Sequence, residues 1–448
     1  VFILWRRFSR VLTASAFASA LLCGFEGSDV LAADAGEGDA SSTAVHQNAA
    51  SVPAVASLAS RSPADDREPR YEPAGFPLIA GNSDIGFEFG VVGTLSRFAN
   101  GVLPYQWNMD LVAELSLKSG PSGAEITQQS YQWNIDAPQV AGGRVRLAPQ
   151  LGYYRTVNQL YFGLGNASSG QRPAGASARY FEFDDRQARF RELTRVGFSG
   201  PFDVLIATIY RYQDPRPYTG GQLEKDAASN TVRGVRPLSL FTLAGGIQYD
   251  SRDNEIFPLR GSLHHLGLRA TLGVPSAASV HYAAFGAQAA SFIPIGASAT
   301  IALRAVTDLE LGHVPVYDLY TGGAFLTDEM IGGSSAVRGV PNGRYSGLVK
   351  VFANAELRAM LVPFRLLGQQ FRLGGNLLFD TGRLWSDYSF KAPQDGTGLG
   401  LKWGAGGGAY LQWGQAAVFR LEIAYSPDAK SENPGLPLGI YVEDGVMF

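Results

Sequence analysis

Over about residues 82–448, apolar and polar side chains alternate one for one in segment after segment. Ile301, Leu303, Ala305, Leu309 and Leu311 fall on one face, Arg304, Asp308 and Glu310 on the other. Val351, Ala353, Ala355 and Leu357 oppose Lys350, Asn354, Glu356 and Arg358. Phe371, Leu373, Leu377 and Phe379 oppose Arg372, Asn376 and Asp380, and Phe419, Leu421, Ile423 and Tyr425 oppose Arg420 and Glu422. Successive side chains of a β-strand point to opposite faces, so period-two alternation is the strand signal. Its recurrence, with charge kept to one face, predicts an all-β chain. A transmembrane antiparallel β-barrel, apolar outside and polar inside, satisfies the pattern. A soluble β-sandwich would also alternate, with the apolar face as its core. The length, the number of strands and an export signal favour the barrel.

Fifteen segments read as strands, near 84–96, 105–117, 124–136, 143–155, 180–197, 202–213, 238–250, 259–272, 279–292, 298–311, 348–361, 370–380, 399–412, 416–426 and 437–448. Single-chain bacterial barrels have an even number, about 8 to 26. A sixteenth strand is therefore expected, before Asn82, around Gln159–Gly165 or within 214–237. Aromatic residues near strand ends (Tyr105, Trp107, Trp133, Tyr153, Tyr154, Trp385, Trp403, Trp413 and Tyr441) fit interfacial girdles. Charged residues make up 17% of the chain, against about 25% in soluble domains. A formal net charge of −3 offers no basic face, so no nucleic-acid partner is expected. Beyond Phe25 no apolar run is long enough for a membrane helix. Closed strands are the other way to satisfy a backbone in lipid.

Residues 1–32 read as a signal peptide: Arg6, Arg7 and Arg10 precede an apolar run from Val11 to Phe25, and Val30-Leu31-Ala32 suits cleavage. Ala33-Asp34-Ala35 is a second cleavage option. A twin-arginine signal at Arg6-Arg7 and a lipoprotein reading of Cys23, which follows the bulky Leu22, are weaker. Residues 33–80 are expected to be a disordered low-complexity leader, a spacer rather than a tether, because they cannot bury enough apolar surface to offset ordering. Residues 81–448 are then the barrel. The charged turn at Asp250, Arg252 and Asp253 reads as an ion-pair network before a cation site. The glycine run 404–408 reads as a bend or close approach.

One arginine stands out. Arg338 lies in Gly332-Gly333-Ser334-Ser335-Ala336-Val337-Arg338-Gly339-Val340, a loop between alternating segments. Strand parity puts Glu356 with Lys350 and Arg358, and Asp380 with Arg372 and Asn376, both on the inward face.

Several motifs in one order resemble the bacterial surface-antigen barrel of the BamA/TamA-type superfamily. They are Gln248 to Asn254 with Phe257-Pro258-Leu259-Arg260-Gly261-Ser262, Gly332-Gly333 with Val337-Arg338-Gly339, and Asn354 to Arg358. Phe379 to Trp385, Tyr161 to Asn166, and the closing Tyr441, Gly445 and Phe448 complete the series. The resemblance implies a sixteen-stranded outer-membrane barrel with an inward-folded sixth extracellular loop. It implies that Arg338 and Gly339 brace the lumen against Glu356 and Asp380. Asp250, Arg252, Asp253, Asn254, Pro258 and Gly261 would form a periplasmic turn, and Tyr441 and Phe448 a C-terminal barrel signal. Val340 replaces the aromatic residue that usually follows the arginine-glycine pair. The residues before the barrel cannot make a POTRA module, which resembles the branch without them.

The expected function is outer-membrane protein or lipid assembly or transport, through a lateral seam and a plugged lumen. A passive channel or structural anchor is the alternative. No enzyme activity, metal site or cofactor is expected: there is no Gly-x-Ser-x-Gly, the five histidines form no cluster, and His264 and His265 point to opposite faces. Expected partners are outer-membrane lipids, the machinery that inserts the barrel itself, and an unidentified periplasmic or membrane protein.

Overall fold

A computed structural model describes residues 69–448, apart from 83–85, 100–101, 103–104, 121–122, 275–279, 326–327, 367–368, 414–416 and 432–436. The expected signal peptide, and the expected leader up to residue 68, lie outside the described residues. Sixteen strands form the wall. They are β1 (Arg70–Asn82), β2 (Gly86–Phe98), β3 (Trp107–Gly120), β4 (Gly123–Val140), β5 (Val145–Leu160), β6 (Glu182–Ser199), β7 (Phe202–Pro217), β8 (Leu238–Asp250) and β9 (Gly261–Val274), then β10 (His281–Pro294) and β11 (Ala299–His313). A two-stranded hairpin, β12 (Thr321–Gly322) and β13 (Asp328–Glu329), sits in the connection that follows. The wall resumes with β14 (Val349–Leu366), β15 (Gln369–Trp385), β16 (Lys402–Trp413), β17 (Ala417–Tyr425) and β18 (Leu438–Asp444). Each wall strand pairs antiparallel with its neighbours, and β18 meets β1 to close the barrel.

The sixteenth strand is β1, within the stretch expected to be leader. The barrel therefore starts at Arg70 rather than residue 81, and its first strand is not 84–96. Pro73 and Pro77 hide this strand from a propensity reading, because proline lacks the ladder donor. An edge position tolerates them, and β1 holds a continuous register with β2 from Arg70 opposite Phe98 to Asn82 opposite Gly86. Against β18 the register among the described residues is short: Gly81 faces Val442 and Asn82 faces Tyr441.

The alternation places side chains as expected. Leu268, Leu311 and Leu377 lie outside and exposed, while Asp308, Glu310, Lys350, Glu356, Arg358, Asp380 and Glu422 are buried inside. Tyr105, Tyr154 and Tyr441 are corrections to the girdle. Tyr441 is buried on the lumen side, Tyr105 donates to Asp136 at 2.5 Å, and Tyr154 accepts from Arg189 at 3.0 Å. Each phenol finds a polar partner that the lipid face would not supply.

Connections at one end are mostly short, such as 141–144, 200–201 and 367–368. At the other end they include 161–181, 218–237, 314–348 and 386–401. Long loops mark the extracellular end of such barrels. The joins at 83–85 and 121–122 are the brief ones on that side. A helix, α1 (Gln222–Ala228), sits in the fourth extracellular loop.

Leu377 lies midway along β15 and is exposed on the outer face. Leu377→Arg is expected to cost about 2–4 kcal/mol of folding free energy in a bilayer, as a charge facing lipid at mid-depth does. Denaturant-dependent folding into phosphatidylcholine vesicles measures it.

Candidate functional site

The lumen is occupied by the sixth extracellular loop, residues 314–348, and Arg338 of that loop is fully buried. Period two turns Asn354, Glu356 and Arg358 of β14, Asn376 and Asp380 of β15, Tyr410 of β16, Glu422 of β17 and Tyr441 of β18 to the same interior. Arg338 Nε lies 2.8 Å from Asp380 Oδ2, and Arg338 Nη2 donates to Asp380 Oδ1 at 2.9 Å, a bidentate pair. Nη2 also lies 2.7 Å from Glu356 Oε1. Nη1 reaches Glu422 Oε1 at 2.9 Å. Parity brings the expected partners Glu356 and Asp380 to the arginine, and Glu422 joins them. The alternation marked Glu422 as inward, but only the closed curve of the wall brings β17 opposite the loop.

Three carboxylates around one guanidinium would leave negative charge in excess. Arg358 Nε bonds Glu356 Oε2 at 2.7 Å, and Arg420 Nη1 bonds Glu422 Oε2 at 3.3 Å. Three arginines thus face three carboxylates. Asn376 donates to both Glu356 and Glu422, at 3.1 and 2.7 Å. The Tyr410 hydroxyl also donates to both, at 3.2 and 3.4 Å. Buried ions are tolerated when paired and hydrogen-bonded in this way.

The loop backbone is held as firmly as the side chain. The Arg338 amide donates to Asp380 Oδ2 at 3.1 Å and the Gly339 amide to the Tyr441 hydroxyl at 2.7 Å. Asn354 Nδ2 donates to the Ala336 carbonyl at 2.7 Å. Gly339 has φ +88°, a conformation that other residues adopt with strain. Gly404 on the wall gives the loop room, since a Cβ there would lie 1.8 Å from the Arg338 carbonyl oxygen. Close approach therefore accounts for the first glycine of the 404–408 run. Val337 and Val340 pack with Met330, Ile331, Phe352 and Leu384 in one apolar cluster. A branched aliphatic thus fills the place after Arg338-Gly339.

Further ion pairs anchor the loop nearer its start. Arg211 bonds Asp318 at 2.7 and 2.8 Å, and Tyr282 donates to the same carboxylate at 2.8 Å. Arg269 and Lys350, paired on the wall with Asp308 at 2.7 Å and Glu310 at 2.8 Å, also donate to loop carbonyls, Arg269 to that of Gly323 and Lys350 to that of Asp318 at 3.0 Å. The sequence did not single out Arg211, Arg269 or Asp318, because a loop carboxylate has no parity to assign it. The 161–166 segment buttresses the loop from outside. Leu164 bridges Ser346, the Gly165 amide donates to the Ser346 carbonyl at 2.8 Å, and Arg344 lies over the Phe162 ring at 4.6 Å.

The expected periplasmic turn is an ion-paired and Asx-stabilised structure. Arg252 bonds Asp250 at 3.0 and 2.8 Å. Asn254 Oδ1 accepts from the Ile256 and Phe257 amides, both at 2.8 Å, and Asp253 Oδ1 from those of Leu259 and Arg260 at 3.0 and 3.1 Å. Pro258 is buried, and Gly261 has φ +99°. The turn also does what its charges did not suggest: it carries Phe257 onto Tyr410, with ring centroids 5.9 Å apart, and Ile256 and Leu259 against the same cluster. Residues 446–448 fold inward beside it. Phe448 packs with Phe292, Leu263 and Met447 under the Arg304 and Arg358 guanidinium groups, and Arg358 Nη1 donates to its carbonyl at 2.8 Å. The expected signal residues Tyr441 and Phe448 therefore both face the lumen.

Arg338 is held by the wall, the loop is packed within it, and the opposite mouth is covered by a turn and the last residues. This defines a plugged outer-membrane barrel. The Omp85 superfamily domain matches residues 127–439, and the chain belongs to this family as a bacterial outer-membrane protein. BamA from Haemophilus ducreyi lacking POTRA domains 1-3 superposes with a TM-score of 0.52 at 14% identity, over 84% of this chain and 70% of that one. CdiB from Escherichia coli superposes with a TM-score of 0.52 at 15% identity, over 84% of this chain and 62% of that one. At these identities the likeness is one of fold. No curated protein sequence matches the chain. No POTRA module is present among the described residues.

Arg338→Ala leaves three buried carboxylates facing two arginines and is expected to cost about 3–5 kcal/mol. The midpoint of heat-modifiable gel migration of the detergent-folded protein should fall accordingly. Adding Asp380→Asn should cost less than the sum of the single changes, because the two groups share one interaction. Burial raises the Glu255 carboxyl in the periplasmic turn to about 7, against the pull of Arg252, Arg146 and Arg195. A raised acid favours the folded turn while protonated, so turn stability is greatest below the ordinary glutamate range and declines as pH rises through about 7. Hydrogen exchange of residues 256–260, corrected for intrinsic rates, should quicken across that window in the native protein and not in Glu255→Gln.

Proposed function

We propose that this barrel works in outer-membrane protein or lipid assembly or transport, by way of its wall at a lateral seam between β1 and β18. The observation that carries the reading is the contrast between lumen and seam. The lumen is occupied by a loop locked through Arg338, with a turn and the final residues across the other mouth. Among the described residues the seam pairs Gly81 with Val442 and Asn82 with Tyr441, and β18 ends at Asp444, so the stretch of β1 before Ile79 lies beyond its reach, whereas β1 pairs with β2 from Arg70 to Asn82. Opening the lumen means breaking a buried ion cluster. Opening the seam means breaking a few backbone hydrogen bonds, each about 1 kcal/mol. Local separation proceeds first where stability is lowest.

The partners that suit this reading are outer-membrane lipids at the seam, the machinery that inserts the barrel itself, and a periplasmic or membrane protein that delivers substrate. Capture by a periplasmic module of this chain has no support among the described residues. The filled lumen weighs against a passive channel. None of the steps calls for a catalytic residue or a cofactor.

Depletion of the protein in its host tests the proposal. Changed levels of other outer-membrane proteins, or changed lipid asymmetry, are expected; unaltered proteins and lipids would sink it. Planar-bilayer conductance tests the plug separately. The native barrel should show small, flickering currents, and deletion of 313–346 should enlarge them. A large steady current in the native protein would establish the channel reading instead.

A further inference from the structure

The seam side of β1 has a chemistry of its own. Among the described residues, β18 covers this edge only at Gly81 and Asn82, since β18 ends at Asp444 and the following residues turn into the lumen. Between Pro73 and Ala80 the edge has no strand neighbour among the described residues. Successive residues of a strand offer their amide and carbonyl alternately to one neighbour and the other. The ladder between β1 and β2 runs without a register shift through Pro73 opposite Leu95 and Pro77 opposite Val91. Proline has no N–H to give. Had Pro73 and Pro77 faced β2, the ladder would lack donors at both places, so both face the seam. By parity Gly75, Ile79 and Gly81 face it too.

Two consequences follow from the same two rings. An incoming strand laid along β1 would find no donor at Pro73 or Pro77, and edge prolines are a recognised way of refusing strand addition. An edge left open to lipid is costly because each unmet N–H in hydrocarbon costs several kcal/mol. Replacing two of those amides by proline removes that cost at two places. The outward side chains of this stretch complete an apolar rim, with Tyr71 and Ile79 exposed.

We infer that the seam edge of β1 from Pro73 to Ile79 is built to face lipid acyl chains and to refuse a partner strand. Among the described residues, β18 engages β1 at Gly81 and Asn82, beyond this stretch. The inference rests on the proposed seam and narrows its substrate class: the lower seam admits lipid rather than an extended polypeptide that pairs by backbone hydrogen bonds.

The test uses the full chain folded in phosphatidylcholine vesicles and a labelled synthetic peptide with the sequence of residues 437–448, the strand this barrel itself pairs at the seam. Binding is read by fluorescence anisotropy, and its site by crosslinking from a photoreactive group on the peptide. Wild type should show no saturable binding at β1. Pro73→Val/Pro77→Val, which restores two donors, should bind about tenfold or more tighter, with crosslinks to residues 70–80. Saturable binding to β1 of wild type as tight as to the double variant overturns the inference. Absence of binding to both overturns the role of the prolines. Heat-modifiable migration checks folding, and if the double variant does not fold, Pro77→Val alone carries the comparison. The assay uses purified protein and is independent of depletion phenotypes, so this inference and the proposed function can fail separately.

Discussion

A guanidinium removed from water must find its countercharge where it is buried, and Arg338 finds three. Asp380, Glu356 and Glu422 come from three strands of the wall, β15, β14 and β17, and each is shared with another donor. The cluster is neutral only as a whole. Arg338 without the wall would be an unpaired cation, and the wall without Arg338 would hold more carboxylates than arginines. Burying such a set brings little net stability over an apolar core, but breaking it is expensive. Its effect is therefore positional: the loop has one place in the lumen, fixed by charge and by the absence of a side chain at Gly404.

Glu356 extends that constraint across the barrel. One of its oxygens meets Arg338, and the other meets Arg358, which in turn holds the carbonyl of Phe448. The extracellular loop and the residues that cover the periplasmic mouth are thus two ligands of one carboxylate and its neighbour. Tyr410 joins them a second way, with its hydroxyl on Glu356 and its ring against Phe257 of the periplasmic turn.

The wall was legible because its signal is local. Each inward charge, from Asp308 to Glu422, follows from counting by twos, and Glu356 and Asp380 followed with it. What lay beyond the sequence was of two kinds. Closure and curvature decide which inward residues meet, so Glu422 and Tyr441 joined Arg338 only in three dimensions, and Arg211 found Asp318 across 107 positions of chain. Local rules also misled where an unusual residue had a special place. Pro73 and Pro77 lie in a stretch that reads as leader by its composition, and proline gives no strand signal to offset that reading; Phe257 stood in the motif, but its packing on Tyr410 could not be read from a turn rich in charge.

The crown of the barrel is uneven. From β5 onward the extracellular loops are cross-tied: Leu164 to Ser346, Arg233 to Pro315, Asn166 to Gly400, Tyr345 to Asp428. Strands β1 to β4 are joined on that side only by 83–85 and 121–122. The ring therefore has one arc that is tied loop to loop and one whose strands are linked on that side by two brief joins. The loop-to-loop ties thus crowd one arc of the ring, and the arc without them among the described residues is the one that ends where β1 meets β18.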